Sequence, residues 1–123
     1  MAGNRANILI LEDDISSQNY YSFVFNGKHD IRIVTNIMEA KQALAEESFG
    51  IALVDLSLPG GENGLDLIKY LDEERAEDGP TAIALTAHVF PHDKAEALAA
   101  GASEFLTKPI MSGELLDVIA KYT

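Results

Sequence analysis

The sequence predicts an α/β protein in which helices cover both faces of a parallel sheet. Five short apolar runs alternate with longer stretches of helical periodicity, which is typical of repeated strand-helix units. Three of these runs lack polar alternation, as expected for strands covered on both faces. A length of 123 residues suits one compact core, and no low-complexity segment, repeat or linker divides the chain. We therefore expect residues 1–123 to form one domain.

The predicted strands follow one another at regular intervals. In chain order they are Ile8–Leu11, Ile31–Val34, Ile51–Val54, Ala82–Leu85 and Glu104–Thr107. The second and fifth mix polar with apolar residues, which favours positions nearer an edge of the sheet or on a functional face.

The intervening segments carry helix signals. Asn36 is a candidate N-cap for a helix running to about Glu47, and Gly101 stands where the end of a helix needs a positive φ. Gly79-Pro80 separates the third helix from the fourth strand. Two later segments have apolar residues at helical spacing, and we expect each stripe to pack on the sheet. These stripes are Ala95, Leu98, Ala99 and Ala102, and then Leu115, Val118, Ile119 and Tyr122.

Composition excludes several classes of function. The formal net charge of -11, with only nine Lys and Arg, argues against direct binding of nucleic acid, which needs clustered cations. Cysteine is absent, so disulfides, thiolate metal sites and thiol redox chemistry are excluded. No stretch approaches the ~20 apolar residues of a membrane span, and residues 1–7 lack the apolar centre of a secretion signal. We expect a soluble, cytoplasmic protein without membrane insertion.

Polar side chains follow the predicted strands where the functional crevice of an open parallel sheet forms. Carboxylates gathered there repel one another and call for a neutralising cation. Hard oxygen ligands without His or Cys nearby favour Mg2+, whereas a dinucleotide or flavin site would need a glycine-rich loop after the first strand. The residues at this edge are Glu12, Asp13 and Asp14 after the first strand, Asp55 after the third, Thr86 after the fourth and Lys108 after the fifth.

Asp55 is the best candidate nucleophile in this group. It ends an apolar strand, which would fix its position. A carboxylate can attack phosphorus to give an aspartyl phosphate when a metal and a cation neutralise the transferring group. Thr86 offers a hydroxyl and Lys108 an ammonium to separate phosphoryl oxygens. The edge thus has the components for phosphoryl transfer.

Four motifs, in order and at strand ends, resemble those of two-component response-regulator receiver domains. They are Leu9-Ile-Leu-Glu-Asp-Asp14, Ala52-Leu-Val-Asp-Leu-Ser-Leu-Pro59, Leu85-Thr-Ala87 and Leu106-Thr-Lys-Pro109. The resemblance spans essentially the whole chain. It implies a flavodoxin-like (βα)5 doubly wound fold whose five-stranded parallel sheet has the order 2-1-3-4-5.

The resemblance also implies roles for individual residues. Asp13 and Asp55 would bind Mg2+ directly, Glu12 through water and Ser57 through its backbone carbonyl, while Asp14 would lie near the start of the first helix. Asp55 would be the phosphoacceptor. Thr86 would be the switch hydroxyl, and Lys108 would contact the phosphoryl group and precede a cis peptide bond to Pro109. Phe105 falls on the switch aromatic position, although a core aromatic explains it equally well.

The implied function is a phosphorelay module rather than an enzyme with turnover of many substrates. The phosphoryl donor would be a phosphohistidine on a histidine kinase or histidine phosphotransfer domain. The signal would pass to an effector protein through the fourth helix, fifth strand and fifth helix.

Two features depart from the common family form. The loop from Pro59 to Gly64 is one residue longer than usual. His88 lies two positions beyond the switch threonine, where a side chain can affect the access of hydrolytic water to the phosphate. His88 and His92 are four apart, but Pro91 between them disrupts the helix that would align them as a metal pair.

Other interpretations of the same residues stay open. Glu12 and Asp13 could simply cap the first helix. An aspartyl-phosphate phosphatase dependent on Mg2+, similar to haloacid dehalogenases, would also use an Asp nucleophile, but Ser57 stands two positions after Asp55 where those enzymes have a second Asp. A pseudo-receiver would bind partners without being phosphorylated. Four aromatic residues of the first helix are assigned to core packing and an exposed partner surface: Tyr20, Tyr21, Phe23 and Phe25.

Overall fold

A computed structural model describes residues 5–58, 63–74, 79–87 and 91–123, with the side chains of residues 91 and 92 left aside. Strands and helices alternate along this part of the chain. The strands are β1 (Asn7–Leu11), β2 (Asp30–Val34), β3 (Ile51–Asp55), β4 (Thr81–Thr86) and β5 (Glu104–Thr107). The helices are α1 (Ile15–Phe25), α2 (Ile37–Glu46), α3 (Gly64–Glu74), α4 (Pro91–Ala100) and α5 (Ser112–Lys121). Each predicted strand is confirmed to within one residue at either end.

The five strands form one parallel sheet in the order β2-β1-β3-β4-β5. The predicted fold class and strand order are therefore confirmed. β2 and β5 lie at the two edges, as their mixed composition predicted, and the three apolar strands lie between them.

Residues of each central strand alternate between two hydrophobic clusters, one on each face of the sheet. In β1, for example, Ile8 and Ile10 face one cluster while Leu9 and Leu11 face the other. The first cluster is completed by α1 and α5, and the second by α2, α3 and α4. This alternation places helices on both faces and explains why the central residues of β1, β3 and β4 are apolar.

Side-chain caps fix the starts of the first two helices. The carboxylate of Asp14 accepts a hydrogen bond from the Ser17 N–H at 2.9 Å, so Asp14 is the N-cap of α1. Asn36 accepts from the Glu39 N–H at 2.8 Å and is the N-cap of α2, as predicted. The α2 helix ends at Glu46, one residue before the predicted end.

The predicted apolar stripe of α4 is wrong, whereas that of α5 is confirmed. Among the described side chains of α4, Ala97 and Ala100 are buried, whereas the predicted Ala95, Leu98 and Ala99 are exposed. Small alanines occur around this helix, so periodicity alone could not choose the face. Ala102 is buried, but it lies beyond the end of the helix. In α5, Leu115 and Ile119 are buried, and Val118 and Tyr122 pack partly against the same cluster.

Gly101 follows α4 with φ +123°, which confirms the predicted positive φ. Within the described residues, no helix is long and apolar enough to cross a membrane.

His29 joins the amino-terminal segment to the end of α1. Its Nδ1 accepts a hydrogen bond from the Ala6 N–H at 2.9 Å, so this ring nitrogen carries no proton in the folded protein. Burial lowers the pKa of His29 below its ordinary value, and the charges of Arg5 and Lys28 lower it further. Folding therefore favours the neutral ring.

Candidate functional site

The predicted site residues come together at the carboxyl edge of the sheet. Asp55 and Thr86 are the last residues of β3 and β4, and Glu12 directly follows β1. Lys108 directly follows β5, and its backbone N–H donates to the Thr86 carbonyl at 2.8 Å. Parallel pairing thus brings chain positions far apart in sequence to one edge.

Three carboxylates form what we call the acidic pocket: Glu12, Asp13 and Asp55. One oxygen from each lies within 4.8 Å of the other two. Glu12 and Asp55 are only 1% and 5% exposed, while Asp13 is more accessible. Several hard oxygen ligands that converge beside solvent fit a divalent cation such as Mg2+, which keeps part of its water shell. The acidic pocket can therefore bind a metal, and its residues fit the predicted ion.

Lys108 is the cation of the pocket. Its ammonium donates to Glu12 Oε1 and contacts Asp55 Oδ2 at 3.3 Å. Burial on its own lowers the pKa of Lys108, but the bond to Glu12 and the charges of both carboxylates outweigh burial and hold this pKa above its ordinary value. Lys108 is therefore a permanent positive charge between two carboxylates.

Burial and neighbouring charges act in opposite directions on the pKa of Glu12. Burial raises the pKa of Glu12, and the neighbouring Asp55 raises it further, while Lys108 offsets part of this increase. Its backbone and side chain are both held, since Gln18 Nε2 donates to the Glu12 carbonyl at 2.8 Å and the Asp14 N–H donates to Oε2 at 3.3 Å. Glu12 therefore belongs to the pocket and does not cap α1, which Asp14 does.

Asp55 is held by the backbone N–H of Ser57 and lies against the start of α3. Its Oδ1 accepts the Ser57 N–H at 3.0 Å, which leaves Oδ2 to Lys108. The Gly64 N–H donates to the Leu56 carbonyl at 3.2 Å. A Cβ on Gly64 would lie 2.2 Å from the Asp55 carbonyl oxygen, so only glycine fits this approach. Sequence reasoning did not single out Gly64, because the contact depends on the packing of α3 against β3.

Thr86 is buried at 2% exposure and borders a cleft of about 240 Å3 between the end of β3 and α4. Ser57, Asp93 and Glu96 also line this cleft.

Phe105 is partly buried and packs against the cluster formed with α2, α3 and α4. This contact is what a core aromatic would make, and the switch role of Phe105 stays a prediction.

Tyr21 is a site contact that sequence reasoning missed. Its hydroxyl donates to Glu12 Oε1 at 3.3 Å. Burial and the nearby Glu12 charge raise the pKa of Tyr21, so the hydroxyl keeps its proton. Of the four aromatic residues in α1, Tyr21 and Phe25 are buried, whereas Phe23 is 80% exposed and Tyr20 36%. The predicted mixture of core and surface positions is present, but no sequence signal distinguished a tyrosine that reaches the pocket.

The Lys108–Pro109 peptide bond is cis, as predicted. Residues 59–62 of the longer loop, and His88, lie outside the described residues.

Comparison with known proteins identifies the family that has this fold. The model of the response regulator receiver domain family matches residues 8–120. The chain belongs to this family. Receiver domains are the signalling domains of response regulators in two-component systems, and they interact with histidine kinases and effectors.

Relatives of this receiver domain occur in two settings. It is 36% identical over 118 residues to the response regulator protein PilR of Pseudomonas aeruginosa, and the match covers 95% of this chain and 26% of PilR. It is 34% identical over 86 residues to the sensor protein GacS of Pseudomonas syringae pv. syringae, covering 68% of this chain and 10% of GacS. The chain thus spans about a quarter of one relative and a tenth of the other.

A solved structure described as a CheY-like response regulator receiver domain protein from Methanospirillum hungatei JF-1 has the same fold. Its TM-score with this receiver domain is 0.83 at 25% sequence identity, and 96% of this chain and 93% of that one are covered.

Proposed function

We propose that this receiver domain accepts a phosphoryl group on Asp55, with Mg2+, from a phosphohistidine of a histidine kinase or histidine phosphotransfer domain. The observation that carries the proposal is the position of Lys108, whose ammonium contacts Asp55 Oδ2 and Glu12 within the acidic pocket. A fixed cation beside a buried carboxylate is the environment that favours a carboxylate nucleophile attacking an anionic phosphoryl group.

In the proposed step, a carboxylate oxygen of Asp55 forms a bond to phosphorus. The bond between phosphorus and the donor's imidazole nitrogen breaks, and that nitrogen keeps the electron pair. The Ser57 N–H holds one carboxylate oxygen and Lys108 contacts the other, so the nucleophile is oriented before the donor arrives. Lys108 then neutralises charge on the transferred group.

Mg2+, when bound, supplies further positive charge to neutralise the phosphoryl oxygens. Asp13 and Asp55 would hold it directly, Glu12 would hold it through water, and the Ser57 carbonyl would complete the protein ligands. The convergence of three carboxylates supports this assignment.

The proposed signal passes from Thr86 and Phe105 to the face formed by α4, β5 and α5, where an effector protein would bind. Thr86 borders the cleft that separates β3 from α4, so a movement of its hydroxyl toward Asp55 would change the packing beside α4. We further propose that residues 1–123 act as one receiver domain without direct contact to nucleic acid, since the net charge is -11.

The test is incubation of the protein with acetyl phosphate and Mg2+, followed by intact mass spectrometry. We expect one phosphoryl adduct that is absent in Asp55→Asn and absent when EDTA removes the metal. Asp117→Asn is the matched control, because Asp117 is an exposed aspartate of α5 and is not one of the three carboxylates of the acidic pocket.

Other outcomes identify the competing functions. A wild-type protein without any adduct would indicate a pseudo-receiver. Rapid turnover of many phosphate esters without an accumulating adduct would indicate a phosphatase. An adduct that survives in Asp55→Asn would place the acceptor elsewhere.

A further inference from the structure

The Tyr21 hydroxyl and the Lys108 ammonium donate to the same atom, Glu12 Oε1. Tyr21 and Glu12 are almost fully buried, at 2% and 1% exposure. The tyrosine approaches from α1 and the lysine from the segment after β5, so the carboxylate is held by two separate elements. A buried carboxylate needs such donors, because it has lost its hydration.

Lys108 is shared between two acceptors. Its ammonium also contacts Asp55 Oδ2 at 3.3 Å. A phosphoryl group on Asp55 would add anionic oxygens that compete with Glu12 for the same ammonium. Any shift of Lys108 toward that group would remove one of the two donors from Glu12 Oε1.

Tyr21 is suited to remain in place during such a shift. Its ring packs in the cluster formed with α1 and α5, and the ring centroid lies 6.1 Å from that of Tyr20. A ring fixed on a helix cannot follow Lys108, so its hydroxyl would still satisfy Glu12. The backbone contact from Asp14 reaches the other carboxylate oxygen, Oε2, and cannot replace this donor.

We propose that Tyr21 is a positioning residue of the phosphoacceptor pocket, whose hydroxyl holds the Glu12 carboxylate while Lys108 is released to the phosphoryl group on Asp55. The inference rests on the proposed function. It adds a residue that acts through Glu12 and touches neither the nucleophile nor the transferred group.

The first test uses the protein without metal or phosphoryl donor. Tyr21→Phe keeps the ring and removes the hydroxyl, and we expect it to increase the unfolding equilibrium constant in urea by about 2- to 10-fold, the size of one net hydrogen bond. The same substitution in a Glu12→Leu background should have no effect or the opposite one, because the hydroxyl has then lost its acceptor. Equal effects in the two backgrounds would overturn the proposal.

The second test measures the rate of phosphorylation by acetyl phosphate at saturating Mg2+. We expect Tyr21→Phe to slow the reaction by about 2- to 10-fold, since Glu12 then retains Lys108 more strongly. Tyr122→Phe is the matched control, because the Tyr122 hydroxyl also donates to a glutamate, Glu104 Oε2 at 2.7 Å, away from the pocket. Tyr122→Phe should react at the wild-type rate, and a Tyr21→Phe variant that also does so would refute the positioning role.

The two tests separate this inference from the proposed function. If the wild type takes no phosphoryl group, the proposed function fails, and the urea measurements still decide whether Tyr21 holds Glu12. If the wild type is phosphorylated but Tyr21→Phe is unchanged, only the inference fails. Should Glu12→Leu not fold, the phosphorylation rates of the two tyrosine variants decide alone.

Discussion

Replacing Gly64 with alanine should disable the site without touching a charged group. Gly64 is the first residue of α3, and an added Cβ would lie 2.2 Å from the Asp55 carbonyl oxygen and 2.9 Å from Val54 Cγ1. A carbon rarely approaches other atoms closer than 3.0 Å, so α3 and the end of β3 must separate by at least about 0.8 Å. The Asp55 oxygen belongs to the backbone and cannot rotate away as a side chain could. The displacement therefore falls on Asp55 itself.

Two opposing energies decide the effect on stability. Alanine favours helix over glycine by roughly 0.5–1 kcal/mol. Overpacking of a rigid contact costs about 1–3 kcal/mol, so we expect net destabilisation of about 1–2 kcal/mol. The effect on function should be larger, because a displacement of about 1 Å in a reacting group can reduce a rate on the order of 100-fold.

The assay pairs urea unfolding with the rate of phosphorylation by acetyl phosphate and Mg2+. Gly113→Ala is the matched control, since Gly113 also lies in the first turn of a helix but a Cβ there meets nothing within 4 Å. We expect Gly113→Ala to be as stable as the wild type or slightly more so, and to react normally. A Gly64→Ala protein that behaves like Gly113→Ala would refute the claim that this contact positions Asp55.

Three further predictions concern charges. Lys108→Met leaves the acidic pocket without its cation, so at neutral pH and without metal we expect the free energy of unfolding in urea to fall by about 3 kcal/mol. Mg2+ should restore part of this loss. Unchanged stability without metal would contradict the ion pairs of Lys108 with the two carboxylates. The pKa of His29 is lowered in the folded state, so its contribution to stability is present above the unfolded value of about 6.5 and is lost as pH falls through it. The stability difference between wild type and His29→Gln, measured in urea at pH 7.5 and 5.5, should therefore be smaller at pH 5.5, and a pH-independent difference would argue against this titration. Asp13→Asn should weaken Mg2+ binding, measured by calorimetry, by at least about 10-fold. Asp14→Asn is the control, because asparagine can still cap α1, and it should bind Mg2+ with the wild-type affinity. Equal losses of affinity in the two variants would assign a metal role to Asp14.

Strand positions were predictable because the sheet is covered on both faces. The runs Ile8–Leu11, Ile51–Val54 and Ala82–Leu85 are apolar at every position and are buried in the sheet. No alternation of polar and apolar residues therefore competes with the prediction of buried strands. The meeting of the candidate site residues was predictable for a related reason: each ends a strand or comes within two residues of its end, and parallel strands bring their carboxyl ends to one edge.

Contacts that depend on helix rotation or close approach were not predictable. The buried face of α4 was wrongly assigned because Ala95, Ala97 and Ala99 are equivalent in size and hydrophobicity, and only packing on the sheet selects Ala97. Tyr21 reads as an ordinary core aromatic until the rotation of α1 aims its hydroxyl at Glu12. Gly64 carries no visible signal, because its importance depends on the distance to a backbone oxygen in β3.

The ion pair between Lys108 and Glu12 joins positions 96 residues apart. During synthesis on the ribosome, a chain that has emerged only as far as β4 would contain the three carboxylates of the acidic pocket but not the Lys108 ammonium that contacts two of them. If Asp55 accepts a phosphoryl group as proposed, such a nascent chain would be a poor acceptor until β5 had entered the sheet. On the proposed function, modification would then be restricted to chains in which all five strands have joined the sheet.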